Sequence, residues 1–148
     1  MKLQIRNIFT VLCILSSVFS FYSCKKDKPV YSDVPEISFQ SISSTSVNAS
    51  DPLTFTIAYT DGNGDLGENV DGVHNLFLTD SRFGTAYEYR IRELSPSTSI
   101  IIKGTLTIEL LSAKKTGAGT ENAVFSIYVV DRAGNSSNTV TSPTVTVH

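Results

Sequence analysis

The chain has 148 residues, of which 41% are hydrophobic and 18% are charged, and its formal net charge is −2. This length suits a single domain, and this composition excludes both a disordered tail and a bundle of membrane helices. Both signs of charge are scattered along the chain without a basic stripe, so we expect no nucleic-acid partner.

Residues 1–23 have the pattern of a secretory signal peptide. Lys2 and Arg6 make the start positive, and the uncharged, mostly apolar segment 8–21 follows. Such a segment is typical of an exported protein and is too short to span a bilayer comfortably. It leads into Phe-Tyr-Ser-Cys at 21–24, which resembles the lipobox of bacterial lipoproteins, with Phe21 in place of the usual Leu. We therefore expect cleavage before Cys24 and lipid modification of its thiol.

The cysteine content supports lipidation. Cys13 lies inside the signal, so Cys24 is the only cysteine of the mature chain and no intramolecular disulfide can form. Acyl chains on Cys24, at roughly 0.8 kcal/mol per buried CH₂, would hold the protein in the lipid bilayer. Lys25 follows Cys24 instead of the Asp that retains lipoproteins in the inner membrane, which predicts the outer membrane and leaves its periplasmic or surface face open. The alternative is a secreted protein in which Cys24 is incidental.

Residues 24–35 are polar, contain two prolines and read as a tether that could reach up to roughly 30 Å. Residues 36–148 then alternate apolar and polar side chains in about seven segments, which are 36–40, 53–60, 75–79, 87–92, 100–111, 123–130 and 139–147. Gly104 suggests a bulge or a bend in its strand, and Pro143 suggests an edge position or a break. This pattern predicts an all-β domain, an antiparallel β-sandwich of the immunoglobulin-like or fibronectin III-like type, with a small closed barrel as the alternative.

Two turn segments carry the candidate chemistry. Asp61, Asn63 and Asp65 place oxygen atoms at alternate positions after the second strand, and Asp131 and Asn135 follow the sixth. In an immunoglobulin-like sandwich these two connections lie at the same end, so the five side chains could converge. Calcium binds six to eight oxygen ligands of this kind. Two interpretations stay open: a calcium site, or turns that Asp, Asn and Gly stabilise without a metal.

The segment 59–67, Tyr-Thr-Asp-Gly-Asn-Gly-Asp-Leu-Gly, resembles a family of small uncharacterised lipoproteins of Bacteroidetes. Segments 129–138 and 75–78 carry the same resemblance, which covers most of residues 36–147. It implies export and membrane anchoring, and it implies no activity. Asn63 replaces an Asp of the family pattern, which keeps an oxygen ligand but removes one charge.

No motif of a known catalytic class is present in the sequence, so we expect a protein that is not an enzyme. We predict a membrane-anchored envelope module that binds an unidentified envelope protein or serves as a scaffold. One alternative is a surface glycan-binding accessory protein, with Phe83, Tyr87 and Tyr89 as the aromatic ligand-binding residues. A small hydrolase with paired carboxylates is a further alternative.

Overall fold

The computed structural model describes residues 30–96 and 99–148, and within these residues the protein is all-β and has no helix. Its strands, in chain order, are β1 (Glu36–Ile42), β2 (Ser46–Val47), β3 (Leu53–Asp61), β4 (Leu76–Asp80), β5 (Ala86–Tyr89), β6 (Ile102–Leu110), β7 (Glu121–Ala123), β8 (Phe125–Val129), β9 (Val140–Thr141) and β10 (Val145–Val147). The apolar residues alternate along these segments because successive side chains of a strand point to opposite faces of its sheet.

The strands form three sheets. One large antiparallel sheet has the order β1-β3-β6, and the other has the order β5-β4-β8-β9. In the small third sheet, β10 pairs in parallel with β2 and antiparallel with β7. These sheets share one hydrophobic core, an arrangement that is consistent with a β-sandwich.

The centre of the core is formed by β3 and β8, one strand from each large sheet. Their inward side chains are completely buried, namely Leu53, Phe55, Ile57, Phe125, Ile127 and Val129. The rings of Phe55 and Phe125 lie 5.0 Å apart with planes tilted by 59°, a favourable geometry for an aromatic pair. Burying each ring stabilises the fold by about 1.5–3 kcal/mol, so this contact joins the two sheets firmly.

The predicted all-β class is confirmed, but several strands differ from their predicted bounds. The predicted strand 123–130 belongs to β7 and β8, which Val124 separates, and the predicted strand 139–147 is interrupted between β9 and β10. Pro143 lies in that interruption, as expected of a residue that has no backbone N–H to donate. The short strand β2 occupies a segment whose composition predicts a turn.

The bulge expected at Gly104 is wrong. Gly104 pairs with Tyr59 in unbroken register, and the irregularity lies instead in β1, between Phe39 and Ser41. A Cβ atom at Gly104 would lie 2.8 Å from the hydroxyl oxygen of Tyr59 and 3.0 Å from its ring. A larger residue at this position would therefore have to displace the ring of Tyr59.

The strand directions define two ends of the domain. At one end β1 begins, β3 and β8 finish, and residues 62–75, 90–96, 99–101 and 130–139 lie together. Residues 30–35 enter the domain here, and we call this the tether end. At the opposite end lie loops 43–52, 81–85 and 111–120 and the carboxyl terminus, and we call this the far end. The two candidate Asp and Asn segments are both at the tether end.

Candidate functional site

The first candidate loop is closed by the carboxylate of Asp61, the last residue of β3. Asp61 is fully buried, and its Oδ2 accepts a 2.8 Å hydrogen bond from the backbone N–H of Leu66. The Leu66 side chain is itself fully buried and fixes the loop to the core. Gly67 has a φ of 88°, and a Cβ atom there would collide with the carbonyl oxygen of Arg92. The glycines of this motif thus have a structural role beside any role in binding.

The second candidate loop is closed by Asp131. Its Oδ1 accepts a 2.7 Å bond from the backbone N–H of Asn135, and its Oδ2 accepts a 2.9 Å bond from the side-chain amide of the same residue. The backbone N–H of Asp131 donates in return to the carbonyl of Asn135. Gly134 supplies the positive φ, 86°, that this tight turn requires.

Arg132 connects the two loops. Its backbone N–H donates to the carbonyl of Asp65, and its guanidinium donates to the carbonyls of Gly64 and Gly67 at 3.3 Å. The same guanidinium forms an ion pair with Glu93 at 3.1 Å. Arg132 lies within a segment that the sequence marks as important, but its role as the link between the loops could not be inferred before the two loops were seen to be adjacent.

Asp65 is the residue of this site whose side chain has its hydrogen-bonding capacity least satisfied. Its side chain is 7% exposed, and its Oδ1 is buried without a hydrogen-bond partner among the described residues. Burial, and then the negative charges of Asp131 and Asp61, raise the pKa of the Asp65 carboxyl above its ordinary value, against a smaller opposing effect of Arg132. The two loops therefore bring three buried carboxylates close enough to repel one another.

The five residues predicted as calcium ligands all belong to these two adjacent loops. Asp61, Asp65 and Asp131 are buried, and Asn63 and Asn135 are half-buried beside them. Among residues 30–96 and 99–148, no group of three or more His, Cys, Asp or Glu side chains is arranged so that it could hold a metal ion. Any cation here would need amide or carbonyl oxygens in addition to carboxylates.

The end of the tether contacts the first of these loops. The backbone N–H of Gly62 donates to the carbonyl of Ser32 at 2.9 Å, and the ammonium of Lys103 lies 3.7 Å from the centre of the Tyr31 ring. A Cβ atom at Gly62 would collide with the carbonyls of Ser32 and Tyr31. Cys24 and the predicted signal lie outside the described residues, and this contact shows where the chain that leads to them joins the domain.

The three aromatic residues predicted to bind a ligand are divided between two environments. Tyr87 and Tyr89 pair with the buried residues Leu78 and Leu76, so both lie on the inward face of β5 and pack against the core. Phe83 and Tyr87 line an open groove of about 290 Å³ at the far end, together with Lys114, whose ammonium lies 5.7 Å from the Tyr87 ring centre. Tyr89 lines a different groove, between β5 and β6.

A buried ionic cluster at the far end was missed by the sequence analysis. The guanidinium of Arg82 lies 2.6 Å from Asp80 and 2.9 Å from Glu121, and it also donates to the carbonyls of Ala113 and Lys114. The side chain of Asp80 is almost completely buried, so it depends on Arg82 for compensation of its charge. No regular spacing relates Glu121 to the other two residues, so the sequence held no signal for the cluster.

No protein-family model, no curated protein and no solved structure matches the chain. Within the part of the chain that the structure describes, no helix is both long and apolar enough to cross a membrane. The function must therefore be inferred from the geometry of the domain and from the sequence that precedes it.

Proposed function

We propose that this protein is a lipid-anchored, non-catalytic module of the bacterial cell envelope that binds a partner or acts as a scaffold. The signal-like residues 1–23 and the lipobox-like sequence at Cys24 support an anchor in the outer membrane. The resemblance to small Bacteroidetes lipoproteins supports the same assignment.

The observation that carries a binding role is the position of the tether relative to the exposed apolar side chains. Residues 31 and 32 join the domain at the tether end, beside Gly62. Leu111, which is 77% exposed, and Phe83, which is 37% exposed, lie at the far end. The other exposed large apolar side chains among the described residues lie at the tether end, namely Val30, Val34, Val70, Leu94, Ile100 and Ile101. An anchored domain would present Leu111 and Phe83 away from its point of attachment, where a partner can reach them, whereas the apolar side chains of the tether end face the anchor. Exposed apolar side chains are favoured at binding surfaces.

We further propose that the domain is of the immunoglobulin-like type. In its favour, β1, β3 and β6 form one sheet while β4, β5, β8 and β9 form the other. The chain thus passes from one large sheet to the other between β3 and β4 and again between β5 and β6, as the chain does in such sandwiches. Domains of this type bind largely through their loops and edge strands.

Membrane anchoring is tested by replacing each cysteine separately. Cys24→Ala should release the protein from the membrane fraction or leave it as an unprocessed precursor. Cys13→Ala is the matched control, because Cys13 lies in the segment expected to be removed. Retention of a fully processed Cys24→Ala protein in the membrane would contradict the proposal.

The binding role is tested by placing a photoreactive residue at either end of the domain in intact cells. We expect a specific crosslink from position 111 at the far end and none from position 70, where Val70 is also exposed, at the tether end. A double variant with Phe83→Asp should abolish the crosslink. Equal crosslinking from both positions, or none from position 111, would contradict a binding surface at the far end.

A glycan-binding role is the second candidate, and the groove lined by Phe83 and Tyr87 favours it. Aromatic side chains beside a cation and a hydroxyl, here Lys114 and Thr85, are suited to contact both the apolar faces and the hydroxyl groups of a sugar. A glycan array with the purified protein tests this role, with Phe83→Ala as the variant and Phe77→Ala on the outer sheet face as the control. Loss of binding in Phe83→Ala alone is expected, and binding unchanged in that variant would reject the groove.

A further inference from the structure

The tether end contains three carboxylates in a small buried volume. Asp61 is fully buried, Asp131 is 6% exposed and Asp65 is 7% exposed. The nearest guanidinium, that of Arg132, forms its ion pair with Glu93 instead of with any of the three. Burial of carboxylates that lack a paired cation is costly, so the fold holds an excess of negative charge at this position.

The hydrogen bonds within the cluster leave oxygen atoms available. Asp65 Oδ1 is buried and has no hydrogen-bond partner among the described residues. Asp61 Oδ1 accepts only a long bond of 3.4 Å from the N–H of Asn63, and Asn63 Oδ1 accepts only a long bond of 3.3 Å from the N–H of Asp65. Bonds of this length are weak and leave most of the accepting capacity of each oxygen unused.

From these observations we infer that the loops of Asp61–Asp65 and Asp131–Asn135 form a calcium site, with Asp65 Oδ1 as its central ligand. Asp61 and Asn63 supply further oxygens from the first loop. Asp131, whose two oxygens accept bonds of 2.7 and 2.9 Å from Asn135, adds negative charge beside the ion from the second loop. The inference does not depend on the proposed function, because it concerns the folded domain alone and holds whether or not the protein is anchored or binds a partner.

The chemistry of the donors selects a hard cation. All available donors are carboxylate or amide oxygens, which suit calcium, whereas zinc and redox metals prefer His and Cys. Only two of the proposed ligands, Asp61 and Asp65, are acidic, which agrees with the finding that no group of three His, Cys, Asp or Glu side chains among the described residues could hold a metal ion. Calcium accepts irregular sets of six to eight oxygens, while magnesium requires a small, nearly octahedral site, which an irregular pair of loops is poorly suited to provide.

The inference is tested with the full mature protein in detergent, after removal of metal with EDTA. Isothermal titration should find one calcium ion per chain. Calcium at about a hundred times its dissociation constant should raise the midpoint of thermal unfolding by about 10 °C. Magnesium at the same concentration should produce a much smaller shift.

Asp65→Asn is the decisive variant, because it keeps the shape of the side chain and removes its charge. We expect it to unfold in EDTA at a midpoint equal to or above that of the original protein and to lose the calcium shift. Asp71→Asn is the matched control from the same loop, and since Asp71 is 99% exposed its calcium shift should be unchanged. The assignment would be overturned if titration found no calcium binding, or if calcium still raised the unfolding midpoint of Asp65→Asn. It would also be overturned if magnesium raised the midpoint of the original protein as much as calcium does.

Discussion

The backbone N–H of Arg132 donates a hydrogen bond to the carbonyl oxygen of Asp65 at 3.2 Å, across a separation of 67 positions in the chain. This bond joins the loop after β3 to the loop after β8, and the guanidinium of Arg132 adds two bonds to carbonyls of the first loop. The carboxylates of Asp65 and Asp131 are consequently held beside each other despite their like charges.

Removal of the Arg132 side chain should loosen this junction. Arg132→Ala deletes the bonds to Gly64 and Gly67 and the ion pair with Glu93, and we expect a loss of about 1–2 kcal/mol in the free energy of unfolding. Urea unfolding measures the effect. Arg92→Ala, an exposed arginine at the same end, should change stability by less than about 0.5 kcal/mol. Equal effects of the two variants would show that Arg132 does not hold the loops together.

The buried cluster at the far end should contribute more to stability than an ion pair at the surface. Arg82→Ala leaves Asp80 buried without its counter-charge, and we expect a loss of about 3–5 kcal/mol on urea unfolding. The matched comparison is Arg90→Ala, which breaks a 2.6 Å ion pair with the fully exposed Asp71 and should cost less than about 1 kcal/mol. If the two losses are similar, the buried cluster is not the stabilising element described here.

Glu121 should make the stability of the domain depend on pH in the acid range. Hydrogen bonds from the hydroxyl and the N–H of Thr116, with smaller contributions from Gly117 and Arg82, lower the pKa of Glu121 from 4.5 to about 2. The native state therefore binds fewer protons than the unfolded state between these values, so this contribution is complete above pH 4.5 and is lost as the pH falls towards 2.

The matching measurement is acid unfolding of Glu121→Gln. This variant should be less stable than the original protein at neutral pH, and the difference should shrink as the pH falls from 4.5 to about 2. Glu109→Gln, on the exposed side of β6, serves as the control and should follow the original protein at every pH. A stability difference for Glu121→Gln that does not vary with pH would contradict the assignment.

The contact between the tether and the domain should depend on the absence of a side chain at position 62. In Gly62→Ala the new methyl group collides with the carbonyls of Tyr31 and Ser32, so residues 30–34 should detach. Cleavage by chymotrypsin after Tyr31 should then become faster. Gly119→Ala is the control, since nothing lies within 4 Å of a Cβ atom there, and its cleavage rate should not change. Identical rates in the two variants would mean that the contact does not restrain the tether.

The sequence predicted the all-β class because side chains alternate clearly along β3, β4 and β8, where one face is fully buried. The short strands β2 and β9 were harder to predict because two residues cannot display a period. The position of the five candidate ligands could be anticipated from topology, since Asp61 ends β3 and Asp131 follows β8, and both strands finish at the tether end.

The contacts that depend on distant parts of the chain could not be anticipated. Arg82 reaches Glu121 across 39 positions, and Arg132 reaches Gly64 across 68, through loops whose paths no local pattern specifies. The buried, unpartnered Oδ1 of Asp65 is likewise a consequence of how the two loops pack. Whether Asp131 would share a site with Asp61 was therefore a hypothesis that only the packing of the loops could address.

The central claim is that the domain is held in the envelope by a lipid on Cys24, and mass spectrometry of the protein extracted from bacterial membranes tests it most directly. The account predicts that the mature chain begins at Cys24 and that its N-terminal peptide carries the mass of a thioether-linked diacylglycerol. A mature chain that begins at another residue, or a Cys24 with an unmodified thiol, would contradict it.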